Sequence, residues 1–133
     1  MSLRTLVIDG GELCCSQLVE ILHLNRYESV LVAHNVSDAM RMAIRHRPDV
    51  IFLDSAVLDI SELAVIPEIK KTLPGVAILM MSRIYANDRR TNTLLTNSVK
   101  YGAHGFVFKP FNAASIVDVM RKISARFSVE QAA

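Results

Sequence analysis

Val50-Ile51-Phe52-Leu53-Asp54 places four apolar residues in a row before a single carboxylate. A strand with one wet face alternates apolar and polar side chains. A strand without alternation is covered on both faces, the condition of a parallel sheet with helices on either side. The pattern repeats outward from this stretch. Toward the N-terminus, Thr5 to Ile8 runs into Asp9-Gly10-Gly11, and Ser29 to Ala33 forms another apolar run. Toward the C-terminus, Val76 to Met81 ends at Ser82, and Gly105 to Phe108 ends at Lys109-Pro110.

Amphipathic stretches separate these runs. Glu12 to His23 carries Cys15, Leu18, Ile21 and Leu22 at helical spacing. Ser37 is the expected cap of a helix through Arg45, with Ala39, Met40, Ala43 and Ile44 on one face and Pro48 as its stop. Glu62 to Leu73 reads as a helix capped by Ser61, in which Pro67 predicts a kink or a late start. A shorter helix is expected from Thr93 to Tyr101, closed by Gly102. Asn112 is the expected cap of the last helix, whose Ile116, Val119, Met120, Ile123 and Phe127 form one apolar stripe. Five successive βα units predict an α/β fold built on a five-stranded parallel sheet.

The chain has 133 residues, one domain at roughly 100–200 residues each. Its 51% hydrophobic and 21% charged content excludes a disordered chain. A net charge of +2 is too balanced for the footprint of a nucleic-acid binder. No apolar run approaches the ~20 residues of a membrane helix, and none is long enough for a signal-peptide core. Cys14 and Cys15 are adjacent, a strained geometry for a mutual disulfide, so both are expected to be reduced, small hydrophobes. The expectation is a cytoplasmic protein that contacts neither membrane nor, by this domain alone, nucleic acid. His23, His34, His46 and His104 fall at no metal-ligand spacing and are assigned to packing or surface.

In an open α/β sheet, sites form beyond the carboxyl ends of the strands. The residues there are Asp9, His34-Asn35, Asp54, Ser82 and Lys109. Taken singly, each has an ordinary role as turn residue, helix cap or solvated lysine. Together, two carboxylates, a hydroxyl and an ammonium suit phosphoryl chemistry. Carboxylates hold a divalent cation, and a hydroxyl and an ammonium bind phosphoryl oxygens. A carboxylate is also a nucleophile that forms an aspartyl phosphate. The turn Asp9-Gly10-Gly11 has neither a GxGxxG pattern nor a P-loop lysine, which weighs against a flavin or nucleotide enzyme. The chain is expected not to be an enzyme.

On these residues the chain resembles the receiver domain of two-component response regulators, over residues 4–127. The phospho-acceptor motif matches Val50 to Asp54. The hydroxyl position matches Ser82 after Ile78-Leu79-Met80-Met81. The lysine motif matches Gly102 to Phe111, with Phe106 at the aromatic switch position. The spacings also fit, with 45 residues from Asp9 to Asp54, 28 to Ser82 and 27 to Lys109. The resemblance implies a three-layer, flavodoxin-like (βα)5 fold with strand order 2-1-3-4-5. It implies catalytic roles for Asp54, Ser82 and Lys109, and Mg²⁺ held by Asp9, Asp54 and the Ala56 carbonyl. Phosphoryl transfer would come from a sensor histidine kinase or phosphotransfer protein. The face built from the fourth helix, fifth strand and fifth helix would then change shape toward an output domain or a second copy of the chain. Residues 128–133 are expected to be a tail or the stub of a linker.

The chain departs from the family pattern in four places. Gly10 stands where a second acid is usual, so Mg²⁺ is expected to bind weakly, with Glu12 as a candidate substitute ligand. The segment after Asp54 lacks the customary proline and glycine. Arg83 replaces a small residue after Ser82, so it is placed to cover the site, bind phosphoryl oxygens or pair with Asp54. The connection from Ser82 to Gly102 is long, and Ile84 and Tyr85 within it are a candidate partner anchor. These departures support an alternative reading, a phosphorylation-independent pseudo-receiver used for docking or dimerisation.

Overall fold

The computed structural model describes residues 3–58, 62–83 and 89–132, with the side chains of 12–14 and 128–132 excepted. The element order is β1 (Thr5–Ile8), α1 (Glu12–Leu24), β2 (Val30–Ala33), α2 (Val36–His46), β3 (Val50–Asp54), a 3-10 turn (Ser55–Val57), α3 (Val65–Thr72), β4 (Ala77–Arg83), α4 (Arg89–Tyr101), β5 (Gly105–Lys109) and α5 (Ala113–Ala132). The strands form one sheet in the order β2-β1-β3-β4-β5, with every neighbouring pair parallel. This is the flavodoxin-like order. The chain moves from β1 out to β2, then crosses back to place β3 on the other side of β1. A crevice opens where the winding reverses.

Strand alternation feeds two cores. Leu6, Ile8, Ile51, Leu53, Ile78 and Met80 pack on one face with Ala39 and Ala43 of α2, Ile66 and Ile69 of α3, and Leu94 of α4. Val7, Phe52, Leu79, Met81 and Val107 pack on the other with Cys15, Leu18 and Leu22 of α1 and Ile116, Met120 and Ile123 of α5. All five residues of β3 are buried, which explains the unbroken apolar run. Cys15 is a buried thiol, as packing predicts.

The two edges differ from the expectation of strands covered throughout. In β5, Val107 is buried while Phe106 and Phe108 are 36% and 45% exposed. Their rings stack with centroids 6.5 Å apart. An edge strand lacks a neighbour on one side, and among the described residues of α4 Leu94 is the one fully buried apolar side chain, with Ser98 the buried polar one.

Several helix boundaries move for identifiable reasons. Asn35, not Ser37, caps α2, because its Oδ1 accepts from the Asp38 N–H at 2.8 Å. On this helix Ala39 and Ala43 are buried, while Ile44, expected on the same face, is 58% exposed. The helix ends at His46 with Arg47 left-handed ahead of Pro48. α3 starts late, at Val65, which places Pro67 in its first turn, where a missing N–H is harmless. The proposed cap Ser61 lies outside the described residues. α4 begins at Arg89, earlier than expected, and α5 continues as helix to Ala132. Asn112 does cap α5, its Oδ1 accepting from Ala114 N–H at 2.8 Å.

Gly102 closes α4 with φ +118°, and its N–H bonds the Ser98 carbonyl. A Cβ there would stand 2.7 Å from Cδ of Lys70. The lysine tip yields cheaply, but the backbone conformation does not. Gly102→Ala is therefore expected to lower stability by about 1–2 kcal/mol, read as a lower urea midpoint with unchanged slope.

Candidate functional site

Ile8 is in register with Leu53. The next residues, Asp9 and Asp54, thus emerge side by side at the crevice between β1 and β3. Lys109 comes from β5, two strands beyond β3, paired with Arg83 at the end of β4. Its long side chain reaches back across β4. Its Nζ donates to Asp9 Oδ2 at 2.7 Å and to Asp54 Oδ2 at 3.0 Å. All three residues are buried. The Lys109-Pro110 peptide is cis.

The remaining carboxylate oxygens are also engaged. Asp9 Oδ1 accepts from the Gly11 N–H at 2.8 Å, and Asp54 Oδ1 accepts from the Ala56 N–H at 3.1 Å, capping the 3-10 turn. Two acids sharing one ammonium do not titrate alike. Burial raises both, but Asp9 is closer to Lys109 and its carboxyl is held below the ordinary 3.8 by that hydrogen bond and by Gly11. For Asp54 burial prevails over the Ala56 and Lys109 hydrogen bonds, and its carboxyl lies above 3.8. Burial alone would depress Lys109, but its bonds to Asp9 and Asp54 outweigh that and hold the ammonium above 10.5.

A cavity of about 270 Å³ opens over this cluster, lined by Asp9, Gly10, Asp54, Ala56, Arg83 and Lys109 among others. The structure thus brings together Asp9, Asp54, Ala56 and Lys109. Ser82 lies in the same strand end, buried and adjacent to Arg83, but is not among the cavity's lining residues. The side chain of Glu12, and the Ile84-Tyr85 anchor, lie outside the described residues.

Two histidines hold the frame in a way the sequence did not disclose. His34 Nδ1 is 2.8 Å from the Asp9 carbonyl, so that nitrogen carries the hydrogen and donates. His104 accepts from the Ile78 N–H through Nδ1 at 3.1 Å, tying the start of β5 to β4. Histidines have no periodic signal, and only the sheet order brings these two to their partners.

Among the described residues no group of three or more His, Cys, Asp or Glu side chains forms a metal cage. The two carboxylates fit Mg²⁺ in kind, since that ion binds through one or two carboxylates and keeps several waters, and Ala56 lines the same cavity. They are few, and Lys109 already occupies one oxygen of each acid.

A family described as the response regulator receiver domain matches residues 5–121. The chemotaxis protein CheY of Bacillus subtilis is 25% identical over 122 residues, covering 92% of this chain and 98% of that protein. The probable transcriptional regulatory protein TcrX of Mycobacterium tuberculosis is 31% identical over 106 residues, covering 78% of this chain and 43% of that protein. Among solved structures, the receiver domain of NtrX from Brucella abortus superposes with TM-score 0.74 at 26% identity, over 90% of this chain and 96% of that one. A longer NtrX chain has TM-score 0.82 at 24% identity, and this chain spans 28% of its length. No helix among the described residues is long and apolar enough to cross a membrane.

Proposed function

The chain belongs to the response regulator receiver domain family, and from that premise we propose that it accepts a phosphoryl group on Asp54 from a phosphohistidine of a sensor kinase or phosphotransfer protein. Receiver domains are signalling modules that generally bind Mg²⁺ at an acidic pocket. The observation that carries the reading is the single ammonium of Lys109 within hydrogen-bond reach of both Asp9 and Asp54.

Asp54 Oδ attacks the phosphorus, the bond from phosphorus to the donor nitrogen breaks, and that electron pair leaves with the imidazole. Lys109 then exchanges its bond to Asp54 for a phosphoryl oxygen. Ser82 is the hydroxyl that follows toward the same group. Asp9, Asp54 and the Ala56 carbonyl would hold Mg²⁺, weakly because Gly10 supplies no third carboxylate. The ion adds positive charge against the phosphoryl oxygens when bound. The exposed Phe106 and Phe108 on β5 mark the face of α4, β5 and α5 as the surface that reports the change to an output domain or a second copy. This reading places the protein in the cytoplasm. Incubation with acetyl phosphate and Mg²⁺ is expected to give a mass gain of one phosphoryl group, lost in Asp54→Asn. No gain at any magnesium concentration sinks the reading.

A second reading, constitutive docking without phosphorylation, draws on Gly10 and on Arg83 at the cavity mouth. Under it, Asp54→Asn leaves partner binding unchanged.

A further inference from the structure

We propose that the Arg83 guanidinium does the work of a divalent cation at this site, so that phosphoryl-Asp54 forms and persists without metal. The inference rests on the acceptor reading of Asp54 and deepens it.

Asp9, Asp54, Lys109 and Arg83 line one cavity. Among the described residues of that lining, two carboxylates and two cations sum to zero, a balance reached with no ion added. A divalent ion entering this set leaves an excess of positive charge in a pocket whose acids are buried. The same ion would balance a site with a third carboxylate at position 10 and no charge at position 83. Gly10 and Arg83 together shift the local charge by the amount one Mg²⁺ supplies. Among the described residues, a Cβ at position 10 would meet Val57 Cγ1 at 3.7 Å and the His34 carbonyl at 3.8 Å, ordinary contacts that a larger residue tolerates. Arginine suits the substitute role, because its planar fork matches phosphoryl oxygens and its charge persists at every working pH. Arg83 ends β4 in register with Lys109, and both residues line the cavity over Asp54.

With acetyl phosphate as donor the step balances without an oxidant. An Asp54 oxygen bonds phosphorus, the bond from phosphorus to the acetate oxygen breaks, and acetate leaves with the electron pair. The test uses the full chain, acetyl phosphate, and intact mass in EDTA and in Mg²⁺. A separate calorimetric titration of Mg²⁺ is made with no donor present. Wild type is expected to form the adduct in EDTA to within about twofold of its yield in magnesium. Arg83→Ala is expected to lose about tenfold in EDTA, recover with magnesium, and bind Mg²⁺ about tenfold more tightly than wild type. Gly10→Asp/Arg83→Ala should bind it more tightly still, and Arg83→Lys should keep most of the EDTA yield. A wild-type adduct formed only with magnesium, together with an unchanged Mg²⁺ affinity in Arg83→Ala, overturns the inference and leaves the acceptor reading intact. No adduct on any form, including the double variant in magnesium, rejects the acceptor reading and the inference with it.

Discussion

Lys109→Met destabilises the fold by about 3–5 kcal/mol, the cost of leaving a buried charge without its partner. Methionine keeps much of the apolar stem, so packing changes little. What is lost is the one ammonium that donates to both Asp9 and Asp54. The two buried carboxylates then face each other with only the Gly11 and Ala56 N–H groups as donors in the described contacts. Urea titration at neutral pH measures the loss.

The pH dependence gives the sharper check. In the wild type, Lys109 is held above 10.5, so its contribution is complete below that value and is lost as pH rises through the folded one. Asp9 is held below 3.8, so its contribution is present above that value and is lost as pH falls through the folded one. In Lys109→Met both acids move up, the folded state binds protons more tightly than the unfolded, and stability increases as pH falls toward the carboxylate range. The gap between variant and wild type is expected to narrow on acidification. A gap constant with pH would mean the loss is packing, not charge.

Asp54→Asn has the opposite sign on stability and the largest effect on function. On the proposed reading it is expected to abolish phosphoryl acceptance, since an amide is no nucleophile here. Yet the variant is expected to be more stable at neutral pH. Burial holds the Asp54 carboxyl above 3.8, so its ionisation costs the folded state as pH rises from 3.8 through the folded value. Asparagine is neutral, keeps an acceptor for the Ala56 N–H, and leaves Lys109 in its shorter bond with Asp9. A raised urea midpoint whose excess over wild type disappears below the carboxylate range confirms the sign. A lowered midpoint at neutral pH would show that the bond to Lys109 prevails over burial at this residue.

The site therefore holds a charge that the fold tolerates at a cost, which is common where function and stability compete. Asp9 and Lys109 tie the ends of β1 and β5 together, and Asp54, the acid proposed to react, lies beside them.

The order of elements and the identity of the strand-end residues were legible in the chain itself. The unbroken run Val50 to Leu53 is buried throughout, and the runs of β1, β3 and β5 end at Asp9, Asp54 and Lys109, which line the crevice. Caps were legible where the chemistry is local, as at Asn112 and Gly102. The cap of α2 was not, because Asn35 and Ser37 both carry side-chain acceptors and the depth of Ala39 and Ala43 in the core decided between them. The late start of α3 followed from one proline.

Tertiary structure alone decided the rest. Lys109 is 55 residues from Asp54 and 100 from Asp9, and only the strand order sets its reach across β4. That order also left β5 at an edge, exposing two phenylalanines whose sequence reads as core. It brought Arg83 to the mouth of the same cavity. A sequence records side-chain type and local period, both short-range properties. Which acid ionises first, and which cation serves it, depends on distances and burial that exist only once separate strands have been laid side by side.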